Sequence, residues 1–278
     1  MKRLFLILLS FFVMTFCLYA EKFSYSVTVQ NEEGPGYDIS VTYPVFGGKL
    51  KAVDQKIAEL EELDVAYLKR ECTLNVLMTV TFWTDWAQAD SDFKKNFEAL
   101  TGGKDFEFPE QSMQEYKKWL MSAKGEAAIK LCKQKLNEHG QEIPYAFSYY
   151  LNYSVFVDGD LLSVYLDCVD YTSGGNGNHQ VIKTVNYDMK KKKFVSLEDV
   201  TGLSTRQLAA LCAESLAEDY DADKGRAMKE RVNSGDFPLF VRRRGTIIVY
   251  FNPYEIASGA EGLLTAYIPE WEIKNLKQ

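Results

Sequence analysis

The chain of 278 residues carries 32 basic against 39 acidic residues, a formal charge of −7, and 14% of it is aromatic, with 17 Tyr and 17 Phe. A chain of this length can bury a substantial core as one large domain or two smaller ones. Its acidic balance is a poor match for nucleic-acid phosphates, so no nucleic-acid partner is expected, whereas a cationic partner would suit it.

Met1-Lys2-Arg3 is a basic start, Leu4 to Phe16 an apolar run and Leu18-Tyr19-Ala20 a cleavage site. Residues 1–20 therefore read as a signal peptide, and the mature chain is expected to begin at Glu21 as an exported, periplasmic or extracellular protein. Its charge is then −9, with 30 basic and 39 acidic residues. The apolar run is shorter than the ~20 residues a span needs, so no membrane span is expected in the mature chain. Cys17 poses the question of a lipoprotein, but Met14-Thr15-Phe16 lacks the small residue that usually precedes a lipidated cysteine. Cys72, Cys132, Cys168 and Cys212 remain in a compartment that permits disulfides, with three connectivities open; Cys132 and Cys212 fall on apolar helix faces, where buried free thiols are common.

In chain order, Phe23 to Val29 alternates as a first strand, Glu33-Gly34-Pro35-Gly36 turns the chain, and Tyr37 to Val45 makes a second strand. Leu50, Val53, Ile57 and Leu60 give residues 49–62 a helical stripe, and the mixed charges on the other side read as a solvated face. Cys72 to Trp86 reads as a strand, with Leu74, Val76, Met78, Val80 and Phe82 on one side. Trp83 and Trp86 flank Asp85, an arrangement that could stack a sugar but more often fills a core. Residues 90–140 read as largely helical. They contain a short helix over Phe93 to Leu100, then a largely helical Pro109 to Gly140 with Met113, Tyr116, Leu120, Ala127, Leu131 and Leu136 inward and a break near Gly125.

Tyr149 to Val157 and Leu161 to Tyr171 alternate on either side of Asp158-Gly159, a pair that tolerates the positive φ of a tight hairpin. A glycine-rich corner, Thr172 to His179, leads into a third strand, Val181 to Asp188. Ser204 and Gln207 form a capping box ahead of Leu208, Leu211, Cys212, Ser215 and Leu216, predicting a helix over 204–218. Phe237 to Val241 and Thr246 to Phe251 predict a hairpin, and a last strand ends at Tyr267-Ile268-Pro269. The fold class expected is α+β: an antiparallel sheet from the 149–188 block together with the C-terminal hairpin, with helices 49–62 and 204–218 packed on it.

Several of these pieces together resemble the RsiV-like extracellular domain, the lysozyme-sensing part of an anti-sigma factor. The same domain type precedes the catalytic module of the peptidoglycan deacetylase PdaC. The resemblance rests on Tyr43-Pro44 before an amphipathic helix, the Tyr-rich strand, the Gly174-Gly175 corner ending in His179, Asn186-Tyr187-Asp188 before a Lys-rich turn and Ser196-Leu197-Glu198-Asp199. It closes on Asn252-Pro253-Tyr254-Glu255-Ile256-Ala257 followed by Gly259, Glu261-Gly262 and Tyr267-Ile268-Pro269. The corner departs from the family, with Gly174-Gly175-Asn176-Gly177-Asn178-His179 in place of Gly-Gly-Ala-His. On this resemblance the domain divides into residues 21–89, the insertion 90–140 and the sheet-and-helix part 141–278. It implies a non-catalytic envelope domain that binds a lysozyme-like protein or peptidoglycan, without a cofactor.

The ligand-binding residues expected are His179, Gly174, Gly175, Asn176 and Asn178 of the corner, with Tyr171, Tyr254 and Glu255. A histidine in a glycine-rich corner can meet a ligand, though pinning the loop through its ring is the commoner role. His139 reads as a helix C-terminus. Asp219, Asp221, Asp223 and Glu230 mimic a calcium loop, but Lys224 stands where the turn calls for Gly and would oppose the cation. No metal site is therefore expected. The rival reading is an envelope hydrolase or deacetylase using Asp85, Asp167 or Asp170 with His179; a third is a structural lipoprotein.

Overall fold

The computed structural model of the protein describes residues 23–34, 36–61, 63–82, 90–102, 113–140, 147–172, 179–231 and 239–278. Residues 1–20 with Cys17, the Trp83-Asp85-Trp86 group, and Gly174, Gly175, Asn176 and Asn178 lie outside these residues.

The fold is α+β, in four layers. A six-stranded sheet takes its strands in chain order: β1 (Ser26–Gly34), β2 (Tyr37–Val45), β3 (Phe147–Asp158), β4 (Leu161–Thr172), β5 (His179–Asp188) and β6 (Lys193–Phe194). One face is covered by α1 (Lys51–Leu60), α2 (Val65–Phe82), α3 (Ser91–Thr101), α4 (Met113–Leu120) and α5 (Ala123–Glu138). A second, three-stranded sheet of β7 (Leu239–Arg243), β8 (Thr246–Phe251) and β9 (Leu264–Pro269) lies on part of the other face. Its own far side packs on α6 (Leu197–Thr201), α7 (Thr205–Asp219), α8 (Ala222–Arg231) and α9 (Glu270–Asn275).

Alternation builds the large sheet. Tyr37, Ile39 and Val41, Tyr149 and Leu151, and Leu162, Val164, Leu166 and Cys168 are all buried toward the helices, where Val53 and Ile57 of α1 meet them. The expected first strand begins three residues later and runs on to Gly34. Two corrections concern the sheet itself. It is not wholly antiparallel, because β2 and β3 pair in parallel, Tyr37 opposite Phe147. Parallel neighbours need a crossover, and the helices α1 to α5 supply it.

Nor do the 149–188 block and the C-terminal hairpin share one sheet. β7 presents its outer edge to side chains of the large sheet rather than to a strand. Phe240 N–H donates to Thr184 Oγ1 (3.2 Å) and Arg242 N–H to Ser163 Oγ (3.3 Å). Asn186 accepts from Ser163 Oγ (2.6 Å) and donates through Nδ2 to the Phe240 carbonyl (2.8 Å). The opposite edge, on β9, is closed in the same way by Ser215 Oγ on Tyr267 N–H (2.8 Å) and the Tyr220 hydroxyl on Thr265 N–H (3.2 Å). Both edges of the small sheet are thus blocked against further strand addition.

The β-prone stretch from Cys72 is also corrected: residues 65–82 are α2. Asp64 starts this helix, its carboxylate accepting from Tyr67 N–H (3.2 Å) and its carbonyl from Leu68 N–H (3.0 Å). Burial of Tyr67, Leu68 and Leu74 in the shared core outweighs the local preference of β-branched residues. In the insertion the helix breaks at Met121-Ser122, before Gly125, where Ser122 Oγ accepts from Lys124 N–H (3.2 Å). Gly125 serves contact instead, since a Cβ there would stand 2.3 Å from the Leu120 carbonyl oxygen.

Candidate functional site

The β4–β5 ribbon ends at the glycine corner, and the residues singled out there divide between the two faces of the sheet. Asp170 and His179 are register partners on the helix-covered side, with Asp170 Oδ1 3.1 Å from His179 Nδ1. Asp167 and Tyr171 point to the other side, where Asp167 accepts from Gln180 Nε2 at 2.8 Å. The carboxylates offered as acid–base partners of His179 are therefore separated by the sheet, Asp170 beside the ring and Asp167 behind it.

On the helix-covered face, next to Asp170 and His179, the structure places a polar cluster that the sequence did not reveal. Glu61, which ends α1, is 4% exposed. Its Oε2 lies 3.1 Å from Lys183 Nζ and 3.5 Å from the Tyr149 hydroxyl, while Oε1 has no hydrogen-bond partner. Lys183 also donates to the carbonyl of Leu60, so one ammonium from β5 closes the C-terminus of α1. Burial pushes the Glu61 carboxyl above the ordinary glutamate value of 4.5, and the Lys183 charge only partly opposes it. Burial also pushes the neighbouring Cys168 thiol up to about 11, and those of Cys132 and Cys212 up to about 12. All three are free and buried, so they are protonated, unreactive packing groups at neutral pH. A lone Glu among mixed charges at a helix end carries no sequence signal that it will be buried.

Beside β5 lies the loop after β8. Asn252 sits where a further strand would pair: its Oδ1 accepts from Ile182 N–H (2.7 Å) and its Nδ2 donates to the Ile182 carbonyl (3.1 Å). Glu255 closes the turn, accepting from Asn252 N–H at 2.9 Å and donating its own N–H to the Asn252 carbonyl at 3.1 Å. Tyr254, between them, has φ +69° and is 75% exposed. Positive φ is costly for a bulky residue and persists only where the surroundings impose it. Here they include Gly259, where a Cβ would stand 2.1 Å from the Tyr254 ring. Tyr254 and Glu255 thus share one fixed turn, Tyr254 presented to solvent and Glu255 holding the backbone.

The calcium-like stretch is helical over Ala222–Arg231. Asp221 accepts from Lys224 N–H (3.0 Å), Asp223 pairs with Arg226 (2.9 Å) and Asp219 accepts from Ser215 (3.3 Å). Lys224 bridges Asp221 and Glu261, tying α8 to the turn that carries Gly259. Among the described residues no group of three or more His, Cys, Asp or Glu could hold a metal ion. No described helix is long and apolar enough to cross a membrane.

No family model matches the chain, and no curated protein matches it. Two solved structures align over most of it. A member of the DUF3298 family from Bacteroides fragilis shares 16% identity, covering 90% of this chain and 92% of that one with a TM-score of 0.45. A DUF3298 family protein from Pseudomonas aeruginosa shares 14%, covering 91% and 93% with a TM-score of 0.43. The structural neighbours of this chain therefore include DUF3298 family proteins from two bacteria.

Proposed function

We propose that this protein is an exported, non-catalytic recognition domain of the cell envelope, whose target is a cationic, lysozyme-like protein. The observation that carries the reading is Tyr254, an exposed aromatic side chain locked in a strained backbone by the Asn252 pin and the bare Cα of Gly259. A rigid tyrosine presents a large amphipathic contact at little entropic cost, the property that makes tyrosine frequent in binding sites. The charge of −7 before signal removal supports a basic partner. Peptidoglycan glycan, which can stack on an aromatic ring, is the alternative target.

Capture of the mature protein on immobilised lysozyme and on purified sacculi tests the proposal. Binding to lysozyme that weakens on Tyr254→Ala is expected; failure on both supports would end the recognition reading. The Asp170–His179 contact of 3.1 Å favours one rival, acid–base chemistry on an envelope glycan. Release of sugar or acetate from sacculi, abolished by Asp170→Asn, would establish that rival instead.

A further inference from the structure

The described residues cover only half of the large sheet's second face. The small sheet packs over Phe156, Tyr165 and Ile182, while the same face of β1, β2 and the neighbouring part of β3 carries no layer among the described residues. Register places Asn31 opposite Ser40 and Glu33 opposite Asp38 on this face, and brings Ser40 beside Tyr150. Asn152 follows two residues along β3, opposite Asp167.

Two features set this surface apart from an ordinary solvated sheet face. The first is its charge. Long lysines and glutamates usually cover such a face, yet on β1 to β5 no Lys or Arg points to this side, and Glu33, Asp38 and Asp167 give it only negative charge. The second is its stiffness. Tyr150 donates to Asp38 at 2.6 Å, Ser40 to Asn31 at 2.8 Å and Gln180 to Asp167 at 2.8 Å, so the polar groups hold one another in place along the rows of the sheet. Short amide, hydroxyl and phenol groups on rigid strands lose little freedom when a partner arrives. At the rim, Val27 and Val29 are 51% and 58% exposed, an apolar border to an acidic centre.

We propose that this uncovered half-face, centred on Asn152, Tyr150 and Asp38, is the docking surface for the cationic protein partner. The proposal rests on the recognition role given above and extends it from the Tyr254 loop onto the sheet. Its occupant is identified by charge: a surface bearing Lys or Arg finds acids here and no Lys or Arg from β1 to β5, the nearest described cations on this face being Arg242 and Arg243 of β7, at Asp158 and Phe156. An anionic or neutral glycan would gain no such advantage.

The test uses the full mature protein, with a basic lysozyme as probe and polylysine and sacculi as parallel arms. Asn152→Arg places a cation at the centre of the face on an exposed strand position. It is expected to weaken lysozyme binding about tenfold or more, as like-charge juxtaposition does at interfaces. Asn275→Arg adds the same charge on the far α9 helix and should change binding less than about twofold. Should Asn152→Arg fail to fold, Val29→Lys carries the same readout at the rim. Wild-type protein that binds lysozyme while both face variants bind equally well would overturn the docking surface and leave the recognition role standing. Equal loss from Asn275→Arg, or binding to polylysine as tight as to lysozyme, would reduce it to general charge attraction and also overturn it. Binding to sacculi alone would refute the protein partner, and binding to none of the three would end both proposals.

Discussion

The two faces of the six-stranded sheet solve opposite problems. Toward the helices, Leu151, Leu162, Val164 and Leu166 are fully buried in one apolar core, and among the described residues the acid buried there is Glu61, held by Lys183. Away from the helices, the same strands set Asn, Ser, Tyr and Asp against one another without any basic residue. The difference teaches how strands of one sequence can supply stability and recognition at once, since a period of two assigns alternate residues to each task.

Removing volume from the helix side should cost most. Leu166→Ala is expected to lose about 2–5 kcal/mol, read by denaturant unfolding, because the deleted methyls leave a cavity in a close-packed layer. Lys183→Met sharpens the comparison by leaving Glu61 buried without its ammonium. Because Lys183 is one-third exposed, the loss should be about 2 kcal/mol at neutral pH, below the range for a fully buried pair.

The pH dependence has a definite sign. A carboxyl whose native pKa is raised binds its proton more tightly folded than unfolded. Its contribution is therefore fully present below the unfolded value of 4.5 and is lost as pH rises through the higher native value. The deficit of Lys183→Met should accordingly shrink on acidification, and Glu61→Gln should flatten the decline in stability that the wild type shows as pH rises from 4.5. A Glu61→Gln profile parallel to that of the wild type would contradict a buried, proton-retaining carboxyl.

Smaller still is Asn252→Ala, which removes both hydrogen bonds to Ile182 and should cost about 1–2 kcal/mol. Hydrogen exchange would report faster opening at Ile182 N–H before any change elsewhere. At the low end, Asn152→Ser on the open face should move stability by less than about 0.5 kcal/mol, measurable as an unchanged midpoint. A large loss there would mean that the open face is covered.

Much of this was legible in the chain. The alternation of Tyr149 to Val157 and Leu161 to Tyr171 matches strands β3 and β4, because burial on one face imposes the period directly. The Ser204 and Gln207 capping box forms as written, Gln207 N–H donating to Ser204 Oγ and Ser204 N–H to Gln207 Oε1. Where the reading failed, the deciding contacts were remote. Residues 72–82 continue a helix whose Tyr67, Leu68 and Leu74 are buried in the shared core, and that burial outweighs a β-branched composition. The sheet divides in two because Ser163, Thr184 and Asn186, unremarkable polar residues in sequence, occupy the edge of β7. Of the site, Tyr254, Glu255, Asp170 and His179 were singled out from the sequence, whereas Glu61 and Lys183 were hidden because a pair more than a hundred residues apart has no local pattern.

The parallel pairing of β2 with β3 has a kinetic consequence. Tyr37 pairs with Phe147, far along the chain, so the inner edge of the first hairpin stays without its strand partner until residues 147–151 have been made. High contact order slows such closure and prolongs the exposure of sticky strands. The C-terminal three-stranded unit, assembled from near neighbours in sequence, can form promptly once made. The β1–β2 hairpin is therefore the part of the large sheet that waits longest for its neighbour, and shielding Ser26–Val45 should speed refolding more than shielding the C-terminal strands.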